Sequence, residues 1–191
     1  MDEVDSSSEL LDLDEIKQYL SEVAPVPYDE RHFVVAPEIK RFLNEHDYTL
    51  TEFKIFIGYD EDHLKQVHKP NRYRFRSDRN QRTEDVITEV VTFSIDLDST
   101  SSLLGWYGRC NWNGTLSDNG LLGMRMRLGN ILIGDRRTMD VMFKEPRFNG
   151  WVQGEIFVNT TGLIPNARRD DFEQNEVYYQ MIEKLKALVG D

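Results

Sequence analysis

LGMRMRLGNILIGD, residues 122–135, is the stretch on which the fold turns. It reads as two short strand-like runs, LGMRMRL and NILIG, folded back on each other at the Gly129–Asn130 pair. Glycine and asparagine tolerate the positive φ that a two-residue hairpin loop demands. The overlapping GNILIGD has the glycine spacing of a phosphate-binding loop. Asp135, however, stands where that mechanism needs a lysine, and a carboxylate there repels phosphate. The stretch is therefore read as part of a sheet.

Working outward, strand-like runs follow at RYRFR (72–76), DVITEVVTFSIDL (85–97), LLGWYGRC (103–110) and WVQGEIFVN (151–159). Phe53, Ile55, Ile57 and Tyr59 alternate with other residues, which predicts a strand with one buried face. Helical patterns stand at the two ends. Asp12, with Glu15 three residues later, caps a helix carrying Ile16, Tyr19, Leu20 and Val23, and the prolines of APVPYD stop it. A second short helix starts at Pro37, with Ile39, Phe42 and Leu43 on one face. A closing helix is expected from about Asp170 to Val189, burying Phe172, Tyr179, Ile182, Leu185 and Leu188. Mostly sequential strands with helices at the ends imply an α+β layer fold. The expected organisation is a disordered acidic lead (1–11), a helical connector (12–50) packed on the main domain, and the α+β domain itself (51–191).

Composition narrows the function. The chain has 191 residues and a formal net charge of −11, which argues against a general nucleic-acid or membrane binder, since both need a positive surface. No apolar run approaches the roughly 18 residues of a membrane span. The acidic N-terminus lacks the pattern of a signal peptide, and the single cysteine, Cys110, excludes an internal disulfide, so a cytoplasmic protein is expected. Asp60, Glu61, Asp62, His63 and His68 lie close together but match no known ligand spacing, so no metal site is expected. Cys110 has no histidine nearby in sequence and reads as a structural thiol.

Two local concentrations of positive charge break the acidic balance. Lys65, Lys69, Arg72, Arg74, Arg76, Arg79 and Arg82 stand against one acid, Asp78. On a strand Arg72, Arg74 and Arg76 share one face, which could track a phosphate backbone or could simply be the solvated face of an edge strand. The other concentration is Arg168–Arg169 in LIPNARRDDFEQN (163–175), just before the expected closing helix. Helix-start amides together with guanidinium groups make an anion site, with Pro165 and Asn166 stiffening the approach. Alternatively Asp170 and Asp171 neutralise the arginines in surface ion pairs. The residues alone leave these two readings even.

From LGMRMRLGNILIGD through RFNGWVQGEIFVNTTGLIPNARRDDFEQN, roughly 122–175, the sequence resembles the middle domain of bacterial Hsp90-like GHKL ATPases, and LSEVAPVPYD resembles the connector after their ATPase domain. The resemblance implies a two-layer sheet-and-helix domain with a left-handed β-α-β unit. It also implies a loop whose arginine reaches the γ-phosphate of ATP held in the preceding domain. Matching LIPNARRDDFE puts Asn166 at the loop asparagine and Arg169 at the phosphate-contacting arginine, with Arg168 beside it. Glu173 stands where the family usually has glutamine. On this reading the chain is a transducer in a chaperone-like ATPase: an excised middle segment, with Met1 an expression start, that is not active alone. ATP and Mg are held mainly by the neighbouring N-terminal ATPase domain, and none is expected in this chain. The intact protein would dimerise on ATP and act on a client protein. The rival classes are a nucleic-acid-binding module built on 65–82, and a partner-docking module using Trp106, Tyr107 and Trp112.

Overall fold

The computed structural model describes residues 12–70, 72–77, 82–109, 114–116 and 123–190, with side chains for 12–70, 86–108 and 123–190. The first helix, α1 (Leu13–Val23), is opened by Asp12, whose Oδ1 accepts from the amides of Asp14 at 2.9 Å and Glu15 at 3.3 Å. This satisfies donors that the first helical turn leaves without partners. Pro37 lies in the first turn of α2 (Ala36–Glu45), where its missing N–H costs nothing. A two-residue pair follows, β1 (Phe56–Ile57) with β2 (Lys65–Gln66), then β3 (Arg72–Ser77) and β4 (Arg82–Val86). Next come β5 (Glu89–Asp96), β6 (Ser102–Arg109), β7 (Gly114–Leu116), β8 (Gly123–Leu128) and β9 (Ile131–Ile133). Two 3₁₀ turns, Thr138–Met142 and Pro146–Trp151, lead to β10 (Gln153–Asn159) and finally α3 (Glu176–Gly190).

The fold is α+β around a mixed five-stranded sheet of order β5-β6-β10-β8-β9. β8 and β10 are parallel neighbours and the other pairs are antiparallel. The β8–β9 hairpin closes through Gly129 and Asn130, at φ 56° and 67°, so both loop residues take the left-handed backbone that the pair permits. Along β10 the side chains alternate between two cores. Phe157 joins Leu104, Trp106, Phe33, Ile39 and Leu43 on the face covered by α2 and the segment before it. Ile156 and Val158 join Leu103, Met124, Met126, Ile182 and Leu185 on the face covered by α3. Both faces of the sheet are therefore covered, and α2 with its flanking segment forms one of the covering layers. Burying a side chain such as Ile39 or Leu43 contributes about 1.5–3 kcal/mol, so this contact holds α2 firmly to the sheet.

Several expectations change. The 53–59 segment is not a strand with a buried face: only Phe56–Ile57 pairs, and Phe53 and Tyr59 are 58% and 78% exposed. The alternation is present, but only Ile55 and Ile57 of its four apolar residues are half-buried. DVITEVVTFSIDL divides at Ile87–Thr88 into β4 and β5, which belong to different sheets. β3 is the central strand of a three-stranded antiparallel sheet, β4-β3-β7, not an edge. α3 begins at Glu176 rather than near Asp170, and Tyr179 and Leu188 are exposed, while Met181, Ile182 and Leu185 form its buried face. Phe172 is buried, but in the loop that precedes the helix.

Candidate functional site

Residues 165–172 form a tight hairpin between β10 and α3. Pro165 and Phe172 make an antiparallel bridge, the Asn166 amide donates to the Asp171 carbonyl at 2.9 Å, and the Arg169 amide donates to the Asn166 carbonyl at 3.0 Å. The Asn166 side chain closes the turn from inside: its Oδ1 accepts from the Asp170 amide at 3.3 Å and its Nδ2 donates to the Asp170 carboxylate. Two anchors fix the base, since Leu163 and Phe172 are both buried in the α3-side core. The Glu173 amide donates to the Ile164 carbonyl at 2.8 Å, while the Glu173 side chain is exposed. The hairpin is also tied to the sheet, because the Gly134 amide at the end of β9 donates to the Arg169 carbonyl at 2.9 Å.

Arg168 and Arg169 stand at the tip, both exposed. Nε of Arg168 lies 3.1 Å from a carboxylate oxygen of Asp170, a solvent-exposed pair worth little. Among the described residues no ion pair engages Arg169. Its backbone sits at φ 57°, a conformation that disfavours any residue with a Cβ. The hairpin bonds to its neighbours stabilise that conformation, and strain of this kind concentrates at functional positions.

The two arginines are not at a helix terminus. α3 starts seven residues beyond Arg169, and its cap is Asn175, whose Oδ1 accepts from the Tyr178 amide at 2.9 Å. An anion site built on helix-start amides therefore does not apply here, and any anion affinity of the tip must come from the guanidinium groups themselves. Hairpin pairing through Ile164 and Glu173 uses the backbone that a longer helix would need.

The largest electrostatic feature was not legible in the sequence. On the α2-facing side of the sheet the buried carboxylate of Glu155 accepts from Lys69 Nζ, at 3.0 Å to each oxygen, and from Arg127 Nε and Tyr28 Oη. Arg127 also donates to the Asn130 carbonyl at 3.0 Å and the Glu22 carbonyl at 2.8 Å, and Trp106 Nε1 donates to Tyr28 Oη at 3.2 Å. One cluster thus joins the end of α1, the segment at Tyr28, β6, β8 and β10. Burial alone would raise the Glu155 pKa, but the charges of Arg127, Lys69 and Arg125 outweigh it and hold the carboxyl well below its usual range. Burial, reinforced by Arg127, pushes Lys69 well below the usual lysine range against the pull of Glu155. Burial, with Glu155 beside it, pushes the Tyr28 hydroxyl up. The available signal was the placement of Arg125 and Arg127 among the apolar residues of β8 and of Glu155 directly before Ile156, Phe157 and Val158 in β10.

The remaining candidates are dispersed. Lys69 belongs to the buried cluster and is not part of a basic surface. In the backbone register Arg72, Arg74 and Arg76 of β3 stand opposite Val86, Glu84 and Arg82, so an acid interrupts the basic face; their side chains lie outside the described residues. Arg79, Cys110 and Trp112 also lie outside them. Trp106 is buried and Tyr107 half-buried against the opposite core, so neither is a free docking ring. His63 bonds Asp60 through Nδ1 at 2.6 Å, and among the described residues no group of three or more His, Cys, Asp or Glu is placed to hold a metal. No helix among them is long and apolar enough to cross a membrane. Comparison with known proteins finds no protein-family model that matches the chain and no curated protein that matches it.

Proposed function

We propose that this chain is the middle, transducer domain of an Hsp90-like GHKL ATPase, and that its 165–172 hairpin carries Arg169 to the γ-phosphate of ATP held in an adjacent N-terminal domain. One observation carries the reading: Arg169 is an exposed guanidinium, without an ion-pair partner among the described residues, on a hairpin cross-braced by Asn166 and Gly134. A loop backbone fixed before the ligand arrives needs little rearrangement when charge develops on the transferred phosphoryl, and an arginine carried on it would accelerate transfer by about 10³-fold or more. Arg168, already engaged by Asp170, is the assisting charge.

ATP would supply the reactive phosphoanhydride, with magnesium, and both would be held mainly by the neighbour. This chain's part is to neutralise and orient one phosphate oxygen and to pass movement on. The Glu155 cluster supports the second role, because it locks the α1–α2 segment to the sheet that also seats the hairpin. The parallel β8–β10 pair is compatible with the strand order of the unit, its crossover holding β9 and two 3₁₀ turns in place of an α-helix. Its left-handed sense, a cytoplasmic setting and ATP-dependent dimerisation of the parent belong to the same reading.

The test is steady-state ATP hydrolysis by the parent protein, wild type against Arg169→Ala, with ATP affinity measured in parallel. Turnover is expected to fall about 10³-fold with affinity kept. Normal turnover in the Arg168→Ala/Arg169→Ala double variant overturns the proposal.

A further inference from the structure

Beyond Gly134 the chain enters the crossover to β10 and forms a second basic feature. A cleft of about 240 Å³ is lined by Arg136, Arg137, Arg147, Asp140, Asn149 and Gly123 among others. Three arginines and one aspartate thus line the cleft in a protein whose net charge is −11. That carboxylate is partly engaged, since Asp140 Oδ1 accepts from Asn149 Nδ2 at 2.8 Å. Among the described residues neither Arg136 nor Arg137 has an ion-pair partner, whereas Arg147 reaches Glu145 at 2.7 Å.

Asn149 and Gly123 brace one wall. Asn149, 1% exposed, donates to the Arg136 carbonyl at 2.9 Å and accepts from the Met124 amide at 2.8 Å, so it clamps the turn to β8. Gly123, at φ 85°, leaves no room for a side chain, because a Cβ there would meet Asn149 Nδ2 at 2.7 Å. The same 3₁₀ turn, Pro146–Trp151, carries two exposed rings, Phe148 and Trp151, 43% and 63% exposed, and the Arg147 guanidinium lies over Phe148.

We propose that this cleft binds the phosphate of a small nucleotide-class ligand. Guanidinium forks match phosphate oxygens, a net positive concavity concentrates anions, and exposed rings on the same turn favour a ligand with a flat base beside its phosphate. The site uses none of the residues of the 165–172 tip and stands independently of the reading given to Arg169.

The experiment is calorimetric titration of the full chain at low salt with inorganic phosphate and with adenosine 5′-monophosphate. Both are expected to bind, the nucleotide more tightly. Arg136→Gln/Arg137→Gln, with an unchanged thermal melt, weakens both about tenfold or more. Trp151→Ala lowers nucleotide affinity toward that of phosphate. Absence of binding overturns the site, as does binding that survives Arg136→Gln/Arg137→Gln. A nucleotide that binds no tighter than phosphate overturns the nucleotide assignment.

Discussion

Lys69 and Glu155, 86 residues apart in sequence, form a buried ion pair in which Nζ lies 3.0 Å from each carboxylate oxygen. The single carboxylate also serves Arg127 and Tyr28, so positive charge exceeds negative within the cluster. That imbalance gives the two partners of the pair different importance.

Glu155→Gln leaves Arg127 and Lys69 buried without a counter-charge and is expected to cost about 3–5 kcal/mol. Lys69→Met removes one of the competing cations and leaves Glu155 bonded to Arg127, so its cost should be about 1 kcal/mol or less. Urea unfolding of both variants checks this. Equal losses would show that the excess charge is not what governs the cluster.

The same carboxylate sets an acid dependence. Glu155 titrates well below its ordinary value in the folded protein, whereas the unfolded chain takes up that proton near pH 4.3. The unfolded state therefore binds more protons as pH falls, and the stability Glu155 contributes is complete above about pH 4.3 and lost progressively below it. Unfolding free energy measured between pH 6 and pH 2 should fall more steeply for wild type than for Glu155→Gln. Parallel curves would remove Glu155 as the source.

Arg169 occupies a left-handed backbone at φ 57°. Glycine relieves that strain, so Arg169→Gly should stabilise the chain by about 0.5–1 kcal/mol while abolishing the proposed phosphate contact. A raised melting temperature together with lost hydrolysis in the parent protein is the expected outcome. A lowered melting temperature would show that the Arg169 side chain supports the hairpin.

Gly134, at φ 75°, has no room for a side chain: a Cβ would lie 1.9 Å from Thr138 Oγ1 and 2.9 Å from the Asp170 carbonyl oxygen. Gly134→Ala should cost about 1–3 kcal/mol and loosen the hairpin from the sheet. Amide exchange at Gly134, whose N–H bonds the Arg169 carbonyl, reads the loosening directly. Unchanged protection there would show that the hairpin is seated by other contacts.

Phe53 and Tyr59 are exposed on a segment whose strand pairing is the two-residue β1–β2 ladder. Phe53→Ser and Tyr59→Ser should each change stability by about 0.5 kcal/mol or less. Larger losses in thermal unfolding would place these rings in a core after all.

Local features of the fold were legible because their causes lie within a few residues. The Asp12 cap, Pro37 in the first turn of α2 and the Gly129–Asn130 loop each act through neighbouring backbone, and each stands in the structure where the sequence placed it. The start of α3 was misplaced because a non-local competitor won: pairing of Ile164 with Glu173 and burial of Phe172 hold residues 170–174 outside the helix until Asn175 caps it. The 53–59 alternation misled because periodicity states which side chains could be buried, while the presence of a covering layer depends on the rest of the chain.

By itself, then, the sequence determined the α+β class, the hairpin at 122–135 and the chemistry available in Asn166, Arg168 and Arg169. Tertiary structure alone decided that Lys69 faces Glu155 rather than solvent, that β3 is central, and that Arg136, Arg137 and Arg147 share one cleft. The physical reason is range. Caps, turns and periods are fixed by bonds spanning two to four residues, whereas burial of a charge depends on which distant strands and helices enclose it.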